Sequence, residues 1–162
     1  MSMDPLGRLL LVEDENVLRG LVHQFLTLEN YDVEPVADGQ AAVDAYACGG
    51  PYDVILLDLN LPVLPGVEAC RQIKLMNPRQ PFLVCSAAVL ESHIEALHTL
   101  GVFDTLGKPY HPSELLTRIR MIMARVQAGA AITDSVRRGW RPDGRAHATL
   151  RPSALSEARM LE

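Results

Sequence analysis

The chain has 162 residues, enough for one ordinary domain with a short appendage and hardly for two. Its apolar share of 48% and charged share of 22% exclude disorder along most of its length. A net charge of −5 argues against a nucleic-acid-binding surface for the whole chain.

Apolar runs then alternate with helical periodicity. Arg8 to Val12 is short, apolar and followed at once by charge, as a buried parallel strand would be. Asn16 is positioned to cap a helix in which Val17, Leu18, Leu21, Val22, Phe25 and Leu26 recur at i, i+3, i+4 spacing. Asp32 to Val36 is a second strand, and Asp38-Gly39 leads into an Ala-rich helix ending at Gly49-Gly50. Asp53 to Leu57 is the third strand, and Pro62, Pro65 and Gly66 mark a loop before a helix from Val67 to Met76. Pro81 to Cys85 reads as a strand, Leu90 to Leu100 as a helix, and Phe103 to Leu106 as a short strand. Pro112 opens a helix through Val126, with Leu115, Leu116, Ile119 and Ile122 or Met123 on one stripe. Five strands alternating with five helices predict an α/β fold, a doubly wound parallel sheet covered on both faces.

In such a sheet, ligands bind beyond the C-terminal ends of the strands. The residues there are Glu13, Asp14 and Glu15 after the first strand and Asp58 and Asn60 after the third. Ser86 follows the fourth and Lys108-Pro109 the fifth. Crowded carboxylates repel one another unless a cation joins them. Mg²⁺ takes oxygen ligands and is usually held by one or two carboxylates plus a phosphate oxygen. A hydroxyl and an ammonium on the same edge would hold other phosphoryl oxygens. Only two lysines, Lys74 and Lys108, stand against 13 arginines. A compact point charge at 108 is therefore a choice of side chain rather than compositional drift.

Glu13-Asp14, Asp58 within Asp-Val-Ile-Leu-Leu-Asp-Leu-Asn-Leu-Pro, Ser86-Ala87 and Lys108-Pro109 together resemble the response-regulator receiver domains of two-component signalling (CheY-like). The resemblance covers about residues 7–127. It implies a flavodoxin-like five-stranded sheet of order 2-1-3-4-5 with five flanking helices and a short C-terminal tail. It implies further that Asp58 accepts a phosphoryl group from a sensor histidine kinase or phosphotransfer protein. Mg²⁺ would be held by Glu13 through water, by Asp14 and Asp58 through side chains, and by Asn60 through its backbone carbonyl. Ser86 and Lys108 would hold the phosphoryl oxygens, with Lys108-Pro109 a cis peptide. Such a domain is a signalling module, not a turnover enzyme, and its phosphorylation changes which downstream protein it binds.

Three departures from the family pattern stand out. Pro65-Gly66 replaces a frequent Asp-Gly. Thr105 stands where members that switch through an aromatic side chain carry Tyr or Phe, so the usual coupling of Ser86 to that position is in doubt; Tyr110 is read as a packing aromatic. Asp104, Glu114, Arg118 and Arg125 mark part of a charged dimerisation face, but the 90–100 helix has no Lys or Arg, so these charges read as a solvated face. A homodimer is left open. Asn60 and Ala88 would flank the phosphoryl group, and a small Ala88 leaves water access open.

Residues 1–127 carry 9 Lys+Arg against 16 Asp+Glu, and residues 128–162 carry 6 against 4. The division expected is a receiver domain, 1–127, and a C-terminal extension, 128–162, acting as a linker or a docking or dimerisation arm. Ala130 to Gly139 would prolong the last helix or form another, Arg141 to Gly144 a turn, and Ser153 a cap for Ala154 to Leu161. Two other functions compete: a phosphorylation-independent pseudo-receiver, and an aspartyl-phosphate hydrolase, disfavoured because Asn60 replaces the second aspartate such enzymes need. The N-terminus lacks the shape of a signal peptide and no apolar run approaches the roughly 18 residues of a membrane span, so a cytoplasmic protein without membrane contact is expected. Cys48, Cys70 and Cys85 read as reduced thiols in the core, Met121 and Met123 as core fillers, and the five histidines as surface or packing residues.

Overall fold

The computed structural model describes residues 3–139. The turn at 141–144, the cap at 153 and the helix at 154–161 expected from the sequence lie outside the described residues. Ten elements alternate: β1 (Arg8–Val12), α1 (Asn16–Leu28), β2 (Asp32–Val36), α2 (Gly39–Gly49), β3 (Val54–Leu57), α3 (Gly66–Met76), β4 (Phe82–Ser86), α4 (Glu91–Thr99), β5 (Thr105–Gly107) and α5 (Pro112–Gly139). The strands form one parallel sheet in the order β2-β1-β3-β4-β5. Order and number match the sequence expectation. The chain divides after Met123 into two compact units, and the site described below lies in the first.

Alternation along the strands sorts the core into two layers. Leu9, Leu11, Val54, Leu56, Leu83, Cys85 and Leu106 pack with Val22 and Leu26 of α1 and with Leu115, Leu116, Ile119 and Ile122 of α5. Leu10, Val12, Ile55, Leu57 and Val84 pack with Ala42 and Tyr46 of α2, Cys70 and Ile73 of α3, and Leu97 of α4. Both faces of the central strands are thus dry, which is why β1, β3 and β4 read as unbroken apolar runs. Gln80 ties the segment before β4 to the one before β3: its buried side chain accepts from Tyr52 N (3.1 Å) and donates to Tyr52 O (2.8 Å). The amide thereby pairs with a backbone unit as a neighbouring strand would.

Several local expectations need correction. The residue before α1 is Glu15, and Asn16 is the first helical residue; its amide oxygen accepts from Arg19 instead of capping. Asp38 does cap α2, its side chain accepting from Ala41 N at 2.7 Å. β5 begins at Thr105 because Phe103 is exposed and lies against the His98 ring. Val17 and Leu21, on the apolar period of α1, are exposed, as is Met121; Met123 alone of the methionine pair joins the core. Cys70 and Cys85 are buried free thiols, whereas Cys48 is exposed. Ala130 to Gly139 belongs to α5.

Candidate functional site

Glu13 and Asp58 each continue a strand by one residue, so the sheet itself aims them. Glu13 N donates to Val36 O and Asp58 N to Val12 O, both at 3.1 Å, which extends the ladder past β1 and β3. Lys108 follows the last residue of β5, and its amide donates to Ser86 O at 3.1 Å. Three chain segments therefore deliver side chains to one edge, the carboxyl edge that the topology predicts for a ligand.

The oxygens of Glu13, Asp14 and Asp58 come within 4.8 Å of one another. Glu13 and Asp58 are buried; Asp14 is exposed. Lys108 Nζ donates to Asp58 Oδ2 at 2.9 Å and also to Glu13 Oε2. The second oxygen of Asp58 accepts from the backbone N–H of Asn60 at 3.1 Å. Burial alone would lower the Lys108 pKa, but the two carboxylates outweigh that, and its ammonium is held above the ordinary lysine range. Desolvation raises the phenol of half-buried Tyr110 and pushes the Cys85 thiol up to about 12, so both stay protonated and neither supplies an anionic nucleophile here. Tyr110 packs against the core, as expected.

The backbone around Asp58 is crowded. A Cβ on Gly66 would come 2.2 Å from Asp58 O and 2.6 Å from the Leu59 Cα, and Gly66 N donates to Leu59 O at 2.9 Å. Only glycine lets α3 begin this close to the strand end. Gly39 does the same for α2, since a Cβ there would lie 2.0 Å from Leu64 O. Between these contacts Val63 is exposed at φ +67°, with Leu64 N donating to Pro62 O across it at 2.7 Å. A β-branched residue is strained in that region.

Glu13, Asp14, Asp58, Lys108 and the backbone of Asn60 thus converge. Ser86 is buried and its hydroxyl donates to Ala88 O at 3.4 Å; Thr105 is exposed at the start of β5. Lys108-Pro109 is cis, as is Gly50-Pro51. Sequence reading passed over Arg19, whose guanidinium donates to Glu13 O at 2.8 Å and Asp14 O at 3.3 Å. Nothing but its place one helical turn after the acidic run could have singled it out. The donor set suits a hard divalent cation: oxygens alone, mutually close, two of the three residues buried and paired by a single ammonium.

A family model for the response regulator receiver domain matches residues 9–120. Among curated proteins, the alkaline phosphatase synthesis transcriptional regulatory protein SphR of Synechococcus elongatus is 33% identical over 85% of this chain and 56% of its own length. The response regulator ArlR of Staphylococcus epidermidis is 37% identical over 72% of this chain and 52% of its own. The chain spans about half the length of these relatives. Among solved structures, the receiver domain of the sensor histidine kinase PA1611 from Pseudomonas aeruginosa, which holds a magnesium ion in its active-site cleft, is 34% identical with a TM-score of 0.66, covering 73% of this chain and 98% of that one. The chemotaxis protein CheY4 of Vibrio cholerae is 26% identical with a TM-score of 0.66, over 71% and 97%. With its sheet order, its acidic edge and these matches, the chain belongs to the family of response regulator receiver domains of two-component systems.

Proposed function

We propose that residues 1–127 form a receiver that takes a phosphoryl group onto Asp58 from a phosphohistidine of a sensor kinase or phosphotransfer protein, with Mg²⁺ held by Glu13, Asp14, Asp58 and the Asn60 carbonyl. The observation that carries this is the pairing of two buried carboxylates, Glu13 and Asp58, by one lysine delivered from another strand. When bound, Mg²⁺ supplies neutralisation of the charge that gathers on the transferring group. The protein's own part is placement. The Asn60 N–H holds one oxygen of Asp58 and the Lys108 ammonium the other, which fixes the carboxylate. An ionised carboxylate needs no base: an Asp58 oxygen forms the O–P bond as the P–N bond breaks. The electron pair stays on the imidazole nitrogen, which takes a proton from solvent. Lys108 then exchanges a carboxylate partner for a phosphoryl oxygen, and Ser86 turns from Ala88 O to another.

Phosphorylation thereby draws Ser86, the last residue of β4, and Lys108, just past β5, toward a new anion, and this is the change a downstream protein would read. The chain would act in the cytoplasm as a regulator, and residues 128–162 would link or dock the receiver to an output partner. Among the described residues no helix is long and apolar enough to cross a membrane. Incubation with Mg²⁺ and acetyl phosphate or phosphoramidate, followed by intact-mass measurement, tests the reading. One added phosphoryl group, lost in Asp58→Asn and on chelation of Mg²⁺, is expected. No modification with any donor would instead favour a phosphorylation-independent interaction module. Steady release of phosphate from unrelated monoesters would point to a hydrolase.

A further inference from the structure

The loop between β1 and α1 carries two of the three clustered carboxylates, yet neither strand nor helix pairing holds the carbonyls of Glu13 and Asp14. Arg19 does. Its Nη1 donates to Glu13 O at 2.8 Å and to Asp14 O at 3.3 Å, while Nη2 donates to Asn16 Oδ1 at 2.5 Å. The guanidinium is half-buried, and its own backbone N–H is committed to α1 through Glu15 O at 2.9 Å. One planar fork, rooted in a helix, thus fixes two successive peptide planes, and with them the directions in which the Glu13 and Asp14 side chains leave the backbone. The geometry points to Arg19 as a positioning residue that preorganises the acidic cluster for its divalent cation. This rests on the reading of Glu13, Asp14 and Asp58 as the Mg²⁺ site.

Two features suit an arginine to that task. Mg²⁺ demands near-octahedral placement of its ligands and tolerates a wandering carboxylate poorly. The bonds of Arg19 go to carbonyl and amide oxygens, so its charge eases the repulsion among Glu13, Asp14 and Glu15 without taking up a carboxylate oxygen. A lysine at this position would keep the charge but lose the rigid fork, and could serve these acceptors only from a single nitrogen.

The test uses the full chain and titrates Mg²⁺ by calorimetry, and Mn²⁺ by electron paramagnetic resonance, into the wild type, Arg19→Ala and Arg19→Lys. Outer partners of metal ligands typically contribute about 10-fold in affinity. A loss of that order is expected for Arg19→Ala, with Arg19→Lys between it and the wild type. At saturating Mg²⁺ the rate of Asp58 labelling by acetyl phosphate should return to the wild-type value, a split that a damaged nucleophile would not show. Val22→Ala, a core change in the same helix, serves as the control for lost stability and should leave the affinity alone. If Arg19→Ala unfolds, Arg19→Lys carries the comparison. Affinities within twofold of wild type in both variants overturn the proposal, as does an equal loss in Val22→Ala. A wild type that binds neither cation removes the reading of the cluster itself, a result distinct from binding that ignores Arg19.

Discussion

The two edges of the sheet carry the same charges and behave differently. Where the strands begin, Arg8 faces three acids: its Nη2 lies 3.2 Å from Glu34, its Nε 3.6 Å from Asp32, and its backbone N–H donates to Asp53 at 2.7 Å. Where the strands end, Lys108 faces Glu13 and Asp58, with Asp14 beside them. The first group is wet, with side chains of Arg8, Asp32 and Glu34 exposed by 39%, 61% and 42%. The second is dry, at 14%, 5% and 9% for Lys108, Glu13 and Asp58. Water screens the surplus acid at the first edge, and there Arg8 can stack on the Tyr52 ring, 4.4 Å from its centroid, as an ordinary structural residue. At the second edge screening is weak, and the surplus calls for another cation. Burial, not the count of charges, separates a binding site from a surface network.

The most disruptive way to probe that contrast is to remove each edge's cation. Lys108→Met strands two buried carboxylates and should cost about 3 kcal/mol in urea unfolding without Mg²⁺, whereas Arg8→Met should cost about 1 kcal/mol or less. Mg²⁺ at ten times its dissociation constant should add about 1.4 kcal/mol to every chain whose site still binds it, wild type and Arg8→Met alike. An equal cost at the two edges would break the comparison. The pH dependence has a definite sign. Burial works against the Lys108 ammonium, its bonds to Glu13 and Asp58 prevail, and the folded pKa is raised. Its contribution is then complete below the unfolded lysine value of about 10.4 and is lost only as pH rises through the higher folded value. On the alkaline side, the gap between wild type and Lys108→Met should close only above that point.

Next in size is Gly66→Ala, which drives a methyl group into the backbone of Asp58 and Leu59. Overpacking of this kind should cost about 2 kcal/mol and slow phosphoryl uptake, because the atoms that must yield belong to the proposed acceptor and its neighbour. Thermal unfolding and initial labelling rates report the two effects separately. The smallest change concerns strain. Among the described residues, the left-handed positions outside this edge are filled by residues that tolerate them, Asn30 at φ 66° and Gly101 at φ 76°, but in the loop after Asp58 stands Val63 at φ 67°. Val63→Gly should therefore stabilise by about 1 kcal/mol in urea. A loss of stability would show that Val63 is not strained.

The sheet was legible because its inner strands are buried on both sides and so spell unbroken apolar runs. Asp58 and Lys108 were legible because a polar residue directly after such a run has one place to go. Where burial is partial, the letters mislead. Val17 and Leu21 obey the period of α1 and still face solvent, and Phe103 looked like strand but leans on His98 outside it. β5 has three residues, too few for a pattern to outvote one aromatic. The role of Asn16 turned on a competition between its own cap and the Arg19 fork, which spacing cannot weigh. Glycine at 66 was visible as a loop marker, but the contact that requires it, the approach of α3 to Asp58, exists only in three dimensions.

The central claim, that Asp58 is the atom donor for the new phosphorus bond, is tested most directly by trapping it. The chain is phosphorylated with acetyl phosphate and Mg²⁺, reduced with borohydride, digested, and sequenced by tandem mass spectrometry. Reduction of an aspartyl phosphate leaves homoserine, and the account predicts that residue at position 58 alone. Homoserine at position 14, the corresponding reduced residue at 13, or a phosphate found on serine or histidine instead, would contradict it.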